Sequence, residues 1–256
     1  MIGQFLLSLI SGIFIGGVAG FLGSLMLSKR MALAAGPLGH LALPGIAIAL
    51  IYGFDISLGA FPFVILGVVL IWFLERKTRL PMEALTAVVF ATGVAIAFFF
   101  LPIDQAEAAL VGDISKIQLN EAIFSIILCA IVFLICQKIY PRMTLINVSE
   151  DLAKARKIDV KKYNLIYLLL VALIVALGVK IVGGLLTAAI VAIPAVSSRN
   201  LAKNLAQYKL LSLSFGTISA ALGISLSKCT TLPAGPLIIV FSAFIFLISV
   251  IFQRGK

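Results

Sequence analysis

At 256 residues, with 62% hydrophobic and only 12% charged side chains and a mean hydropathy of +1.21, the chain lies far outside the composition of a soluble globular domain. A net charge of +10 and a pI near 9.7 would suggest a nucleic-acid partner in a soluble chain. Here the basic residues sit between apolar blocks, so membrane topology accounts for the charge, no nucleic acid is needed, and the composition reads as an all-α polytopic membrane protein.

Apolar blocks fall at about 4–27, 38–53, 57–74, 84–101, 119–137, 163–180, 183–198, 208–227 and 234–252, which predicts eight or nine transmembrane helices. The first block lacks a basic n-region and is too long for a signal-peptide core, so it is expected to be a mature helix. Gly12, Gly16 and Gly20 recur every four residues in it, with Gly23 and Ser24 beyond, a stripe where another helix can approach closely. Packing within the chain is expected there ahead of a dimer seam.

The block at 38–53 is short and holds the only imidazole, His40, followed by Pro44. Pro44 has no N–H to return to the carbonyl of His40, so a freed acceptor and the imidazole belong to one residue. The block at 183–198 is also short, and Pro194 likewise frees the carbonyl of Ile190. Broken helices of this kind point to a translocation path, because unpaired backbone groups must face protein or a water-filled cavity rather than lipid. An ordinary proline kink with His40 hydrogen-bonded between helices fits the same spacing.

Between 138 and 162 lies the one long polar segment, with seven of the twenty basic residues. Within it Glu150, Asp151, Leu152, Ala153, Lys154, Ala155, Arg156, Lys157 and Ile158 read as a short helix. Asn147 or Ser149 can cap it, and the two acids stand where the helix dipole favours negative charge. Val148, Leu152 and Ala155 fall on one weakly apolar face, which predicts a docking helix.

If this segment is cytoplasmic, seventeen of the twenty basic residues share its side, including Lys29, Arg30, Arg76, Lys77, Arg79, Arg199, Lys203, Lys209, Arg254 and Lys256. The other side keeps Lys116, Lys180 and Lys228, with Asp104, Glu107 and Asp113 in its longer loop. Nine spans with an outer N-terminus and a cytoplasmic C-terminus satisfy this asymmetry.

The chain offers no HExxH, no GxSxG and no GxxxxGK[ST], so neither a hydrolase nor ATP binding by that loop is supported. The acids Asp55, Glu75, Glu83, Asp104, Glu107, Asp113 and Glu121 fall in loops or at span ends, away from where a coupling carboxylate belongs. Cys129, Cys136 and Cys229 have no metal or redox spacing and read as small apolar residues. What remains is a conduit driven from outside itself through the docking helix.

Several segments resemble landmarks of one family, in family order. They are Gly20-Phe21-Leu22-Gly23-Ser24-Leu25-Met26-Leu27-Ser28-Lys29-Arg30-Met31-Ala32-Leu33, Gly39-His40-Leu41-Ala42-Leu43-Pro44-Gly45, Ala109 to Ile114, Glu150 to Val160, Gly183-Gly184-Leu185-Leu186 leading to Ile193-Pro194-Ala195, and Leu232 to Pro236. Together they resemble the membrane subunits of zinc, manganese and iron ABC importers over nearly the whole chain. The resemblance implies a type II importer-like permease with a single transmembrane domain over residues 1–256, acting as a homodimer in the lipid of a prokaryotic plasma (inner) membrane. It implies a cytosolic ATPase below, an extracytoplasmic metal-binding protein above, and no tightly bound cofactor beyond the transported divalent ion. Glu150 to Ile158 would be the coupling helix, and His40, with Pro44 and Pro194, would line the path and touch the metal. Two departures stand out. Where the family usually reads Gly-Asp-x-x-Ser-His, this chain has Gly36 for the Asp and Gly39 for the Ser, and the coupling segment carries Lys157 where the family usually has glycine.

Overall fold

The computed structural model describes residues 2–28, 35–54, 56–78, 80–99, 114, 117–230 and 232–253, and among them every regular element is helical. In chain order these are α1 (Ile2–Ser28), α2 (Ala35–His40), α3 (Leu43–Tyr52), α4 (Ile56–Thr78), α5 (Met82–Phe98), α6 (Leu119–Val148), α7 (Glu150–Ala155), α8 (Val160–Leu201), α9 (Leu205–Cys229) and α10 (Ala234–Ile251). A helix closes its own backbone hydrogen bonds, the condition for placing such apolar runs in lipid. Among the described residues six helices are long and apolar enough to cross a membrane: α1, α4, α6, the first part of α8, α9 and α10. Three further apolar stretches are shorter, at Pro37–Ala49, Met82–Phe98 and Leu186–Leu201.

Three expectations are corrected here. The block at 38–53 is two helices, α2 and α3, separated by a turn at Leu41 and Ala42, and Pro44 stands in the first turn of α3 rather than inside a helix. That position suits it, since a first-turn N–H has no intrahelical partner to lose. The break expected at Pro194 falls instead at Gly183, between the blocks at 163–180 and 183–198: α8 is two helices joined by a sharp bend, across which a Cβ on Gly178 would lie 3.0 Å from Thr187 Cγ2, and Pro194 lies within the second. The polar segment 138–162 is not all loop, because α6 continues through Pro141 to Val148 and α8 starts at Val160. Of the segment 102–118, expected on the outer side, residues 102–113, 115 and 116 lie outside the described residues, as do Lys29, Arg30, Asp55, Arg79 and residues 254–256.

The glycine stripe of α1 is filled from within the chain. A Cβ on Gly16 would lie 2.7 Å from the Gly216 carbonyl oxygen of α9, and one on Gly23 would lie 2.0 Å from the Val191 carbonyl oxygen of α8. The helices therefore meet backbone to backbone, which favours dispersion and weak polar contacts where no hydrophobic force joins helices in lipid. Deeper in the same bundle Phe21 stacks between Phe133 and Tyr140 of α6, with ring centroids 5.0 and 5.6 Å away, and Ser24 shares a 2.9 Å hydrogen bond with the Tyr140 hydroxyl. On the other side, α3 and α4 touch at Gly45 and Gly59 in the same manner, a Cβ on either falling 2.0 to 2.2 Å from the other's carbonyl oxygen.

Candidate functional site

The interruption of α8 is set by one residue. Gly183 has φ 81 and ψ 165, a backbone conformation that side chains with a Cβ essentially do not adopt. The Gly183 carbonyl is taken up by the Thr187 hydroxyl at 2.6 Å, which replaces part of the broken ladder. Into this break docks α2. A Cβ on Gly39 would sit 2.7 Å from the Gly184 carbonyl oxygen and 3.3 Å from Thr187 Cβ, so the family's Ser position must be small here for α2 to approach.

Docking brings His40 to the Gly184 carbonyl, with Nδ1 3.2 Å from the oxygen. A carbonyl only accepts, so Nδ1 donates and the neutral ring keeps its lone pair on Nε2, the tautomer that a metal ligand needs. The ring is held on its other side by Phe90 of α5, centroids 5.3 Å apart at 56°. The hydrogen-bonded histidine and the ligand-competent histidine foreseen as alternatives are thus the same arrangement. Gly36 stands one helical turn before His40 on α2, at the i−4 position, and brings no carboxylate to that face.

Pro44 begins the next helix beyond the turn that follows His40. Pro194 is not brought to His40: it lies eleven residues past the break, roughly 16 Å along the helix, and a Cβ on Gly20 of α1 would meet its Cβ at 3.2 Å. Its role here is packing against α1. Sequence reasoning missed Gly184, Thr187 and Phe90 as partners of the histidine. The Gly183-Gly184 pair inside an apolar helical run was the available signal for the break.

The docking helix forms as expected. The Ser149 hydroxyl caps α7 by accepting the Leu152 N–H at 3.2 Å, whereas Asn147 belongs to α6. Glu150 and Asp151 occupy the first turn, each 3.7 Å from Lys154 Nζ. Ala153 is fully buried against the body of the protein, while Leu152 is 46% exposed and Val148 76% exposed. Ala155 is exposed as well, so the apolar face read from the sequence points away from this chain. The helix ends in a Schellman motif: Ile158 N–H reaches the Ala153 carbonyl at 3.0 Å and Lys157 N–H the Lys154 carbonyl at 2.9 Å, with Arg156 as the C-cap. Lys157 takes the left-handed position with φ 58, the only non-glycine residue among those described to do so. The family's glycine at this place is thereby explained by backbone geometry.

Comparisons with known proteins agree with this architecture. The manganese transport system membrane protein MntC of Listeria monocytogenes is 25% identical over 249 residues, covering 96% of this chain and 89% of that protein. The high-affinity zinc uptake system membrane protein ZnuB of Haemophilus influenzae is 26% identical, covering 97% of each. The structure of PsaBC from Streptococcus pneumoniae in complex with Fab superposes with a TM-score of 0.82 at 24% identity, covering 97% of this chain and 95% of that one, a likeness of fold. The model of the ABC 3 transport family matches residues 3–253, and the chain belongs to that family of multi-pass membrane proteins.

Proposed function

We propose that the chain is the permease subunit of an ATP-driven importer for divalent metal ions, zinc, manganese or iron, forming one transmembrane domain over residues 1–256. It carries out no ATP hydrolysis. A separate cytosolic ATPase seats the Glu150–Ile158 helix, an extracytoplasmic metal-binding protein delivers the ion, and two copies form the conduit. The chain crosses the plasma membrane of a prokaryote nine times, with α7 and the C-terminus in the cytoplasm. The ion is cargo, and no cofactor is held tightly.

The observation that carries this reading is α7 itself. It is capped at both ends and fixed by the buried Ala153, yet leaves Val148 and Leu152 uncovered at a polar end of the bundle, which a partner must bury to gain from them. The His40 site suits passage rather than storage. One imidazole with backbone oxygen nearby binds a borderline ion weakly, and a conduit must release what it binds. A second reading, a permease for a small solute other than a metal, is favoured by Gly36 and by the finding that no group of three or more His, Cys, Asp or Glu gathers among the described residues.

Metal content of cells with and without the chain, measured across zinc, manganese and iron, separates the two. His40→Ala is expected to abolish accumulation with expression retained, and Gly36→Asp to alter ion preference only while His40 is present. Normal metal accumulation in His40→Ala, with no effect of Gly36→Asp, would favour the other solute. Orientation is tested by single-cysteine labelling in a background lacking Cys129, Cys136 and Cys229. A cysteine at Gln105 should react with an impermeant reagent in intact cells and one at Ser149 should not.

A further inference from the structure

The loop that follows α7 forms a polar cavity of about 340 Å³ lined by Arg142, Arg156, Lys157, Ile158, Asp159, Lys162 and Tyr163. It gathers four cations against one carboxylate. That carboxylate is already engaged, since Asp159 Oδ1 accepts the Lys162 N–H at 3.1 Å as the cap of α8. The left-handed Lys157 turns the chain here, and the Arg142 guanidinium is fixed by donating to the Tyr163 hydroxyl while lying 5.2 Å from the centre of its ring. Positive charge is therefore collected and partly pre-ordered, four cations facing the one carboxylate among the lining residues.

The depth of the cavity in a bilayer follows from the two helices that build it. On α6 the apolar run 119–137 ends at Lys138, and Arg142 lies four residues further, about 6 Å along the axis. On α8 the apolar run starts at Tyr163, directly beside Lys162. The hydrocarbon core is about 30 Å thick and the headgroup layers add about 5–7 Å on each side, so Arg142, Lys162 and Tyr163 fall at headgroup level. Trp72, the only tryptophan, marks the same level: its indole N–H donates to the Lys161 carbonyl at 3.4 Å and Arg76 lies over its ring at 4.8 Å. Tryptophan and tyrosine favour that interface.

We propose that this cavity is a binding site for the phosphate of an anionic phospholipid such as phosphatidylglycerol, seated between α6 and α8 behind the docking helix. Val148 and Leu152 lie outside it, while Arg156, Lys157 and Ile158 belong also to the segment proposed to meet the ATPase, so lipid and partner would share that edge. The depth argument rests on the membrane-spanning reading of α6 and α8 and not on which side is cytoplasmic.

The test uses the full chain in detergent doped with equal phosphatidylglycerol and phosphatidylcholine, with retained lipid read by native mass spectrometry. The chain is expected to retain phosphatidylglycerol selectively. A cation near an anionic lipid contributes a factor of about five, so the pair Arg142→Gln with Lys162→Gln should lower retention about twenty-five-fold. Arg156→Gln with Lys157→Gly, both in the exposed loop, should do the same and guards against a folding defect in the first pair. Lys203→Gln with Lys228→Gln removes equal charge outside the cavity and should leave retention within about twofold, as judged against that factor. Inorganic phosphate offered alone should leave no adduct. Equal retention of both lipids, equal loss in the control pair, a phosphate adduct without lipid, or unchanged lipid with loss of the co-purifying ATPase would each overturn the proposal, the last assigning the cavity to the ATPase.

Discussion

Replacing Gly183 by alanine acts on the site from two directions. A Cβ at φ 81 and ψ 165 costs about 1–3 kcal/mol where the chain now breaks. The bend cannot straighten in place, because Gly178 packs on Thr187 across it and Gly39 packs on the Gly184 carbonyl, so the strain is taken up by a local shift of the backbone at 183–184. Such a shift moves the Gly184 carbonyl away from His40, whose Nδ1 hydrogen bond now measures 3.2 Å. That loses a further contact of about 1 kcal/mol and frees the ring to turn. The variant should still insert and express, with a Tm lowered in line with that strain of about 1–3 kcal/mol. Metal accumulation, measured in cells that lack the parental copy but keep its ATPase, should fall at least tenfold, as a shift of that size allows. Gly3→Ala, with open space around its Cβ, serves as the inert control. Normal accumulation by Gly183→Ala would show that the broken backbone beside His40 is not used in transport.

Leu152→Asp removes the exposed apolar side chain of α7 and should leave insertion intact while weakening co-purification of the ATPase at least a hundredfold, since docking would bury an unpaired carboxylate. Unchanged co-purification would refute the docking role. Lys157→Gly relieves a left-handed residue and should stabilise the Schellman turn by about 0.5–1 kcal/mol after the entropy of the flexible chain is counted. Slower hydrogen exchange at the Lys157 and Ile158 amide positions is the readout, and faster exchange would contradict it. Gly16→Val forces a Cβ into the Gly216 carbonyl, so α1 and α9 must part at a cost of about 1–3 kcal/mol or more, seen as a lower Tm in detergent.

The parts of the fold that could be read from the sequence are those decided locally or by composition. Apolar helices follow from the cost of leaving backbone groups unpaired in lipid, six of the eight or nine expected being long enough to cross among the described residues, and α7 follows from a Ser149 cap with acids in its first turn. Proline was given too much weight and glycine too little. Pro44 and Pro194 both lack an N–H, yet the structure accommodates one in a helix's first turn and lets the helix run through the other, bedded on Gly20. The actual break falls at Gly183, whose neighbours in sequence are as apolar as those of any spanning glycine. Its positive φ is supported from far away in the chain by Gly39 packing on the Gly184 carbonyl and His40 donating to it, and locally by Thr187 closing on the Gly183 carbonyl. The same limit applies to Lys157, since a lysine in an otherwise polar turn gives no sign of a left-handed backbone until the Ala153 and Lys154 carbonyls are seen to be satisfied by that turn. In both places a glycine requirement is a statement about backbone geometry. At Gly183 the geometry and the glycine coincide. At Lys157 the geometry persists without the glycine, because two hydrogen bonds and the buried Ala153 hold the turn closed against the strain of its one lysine.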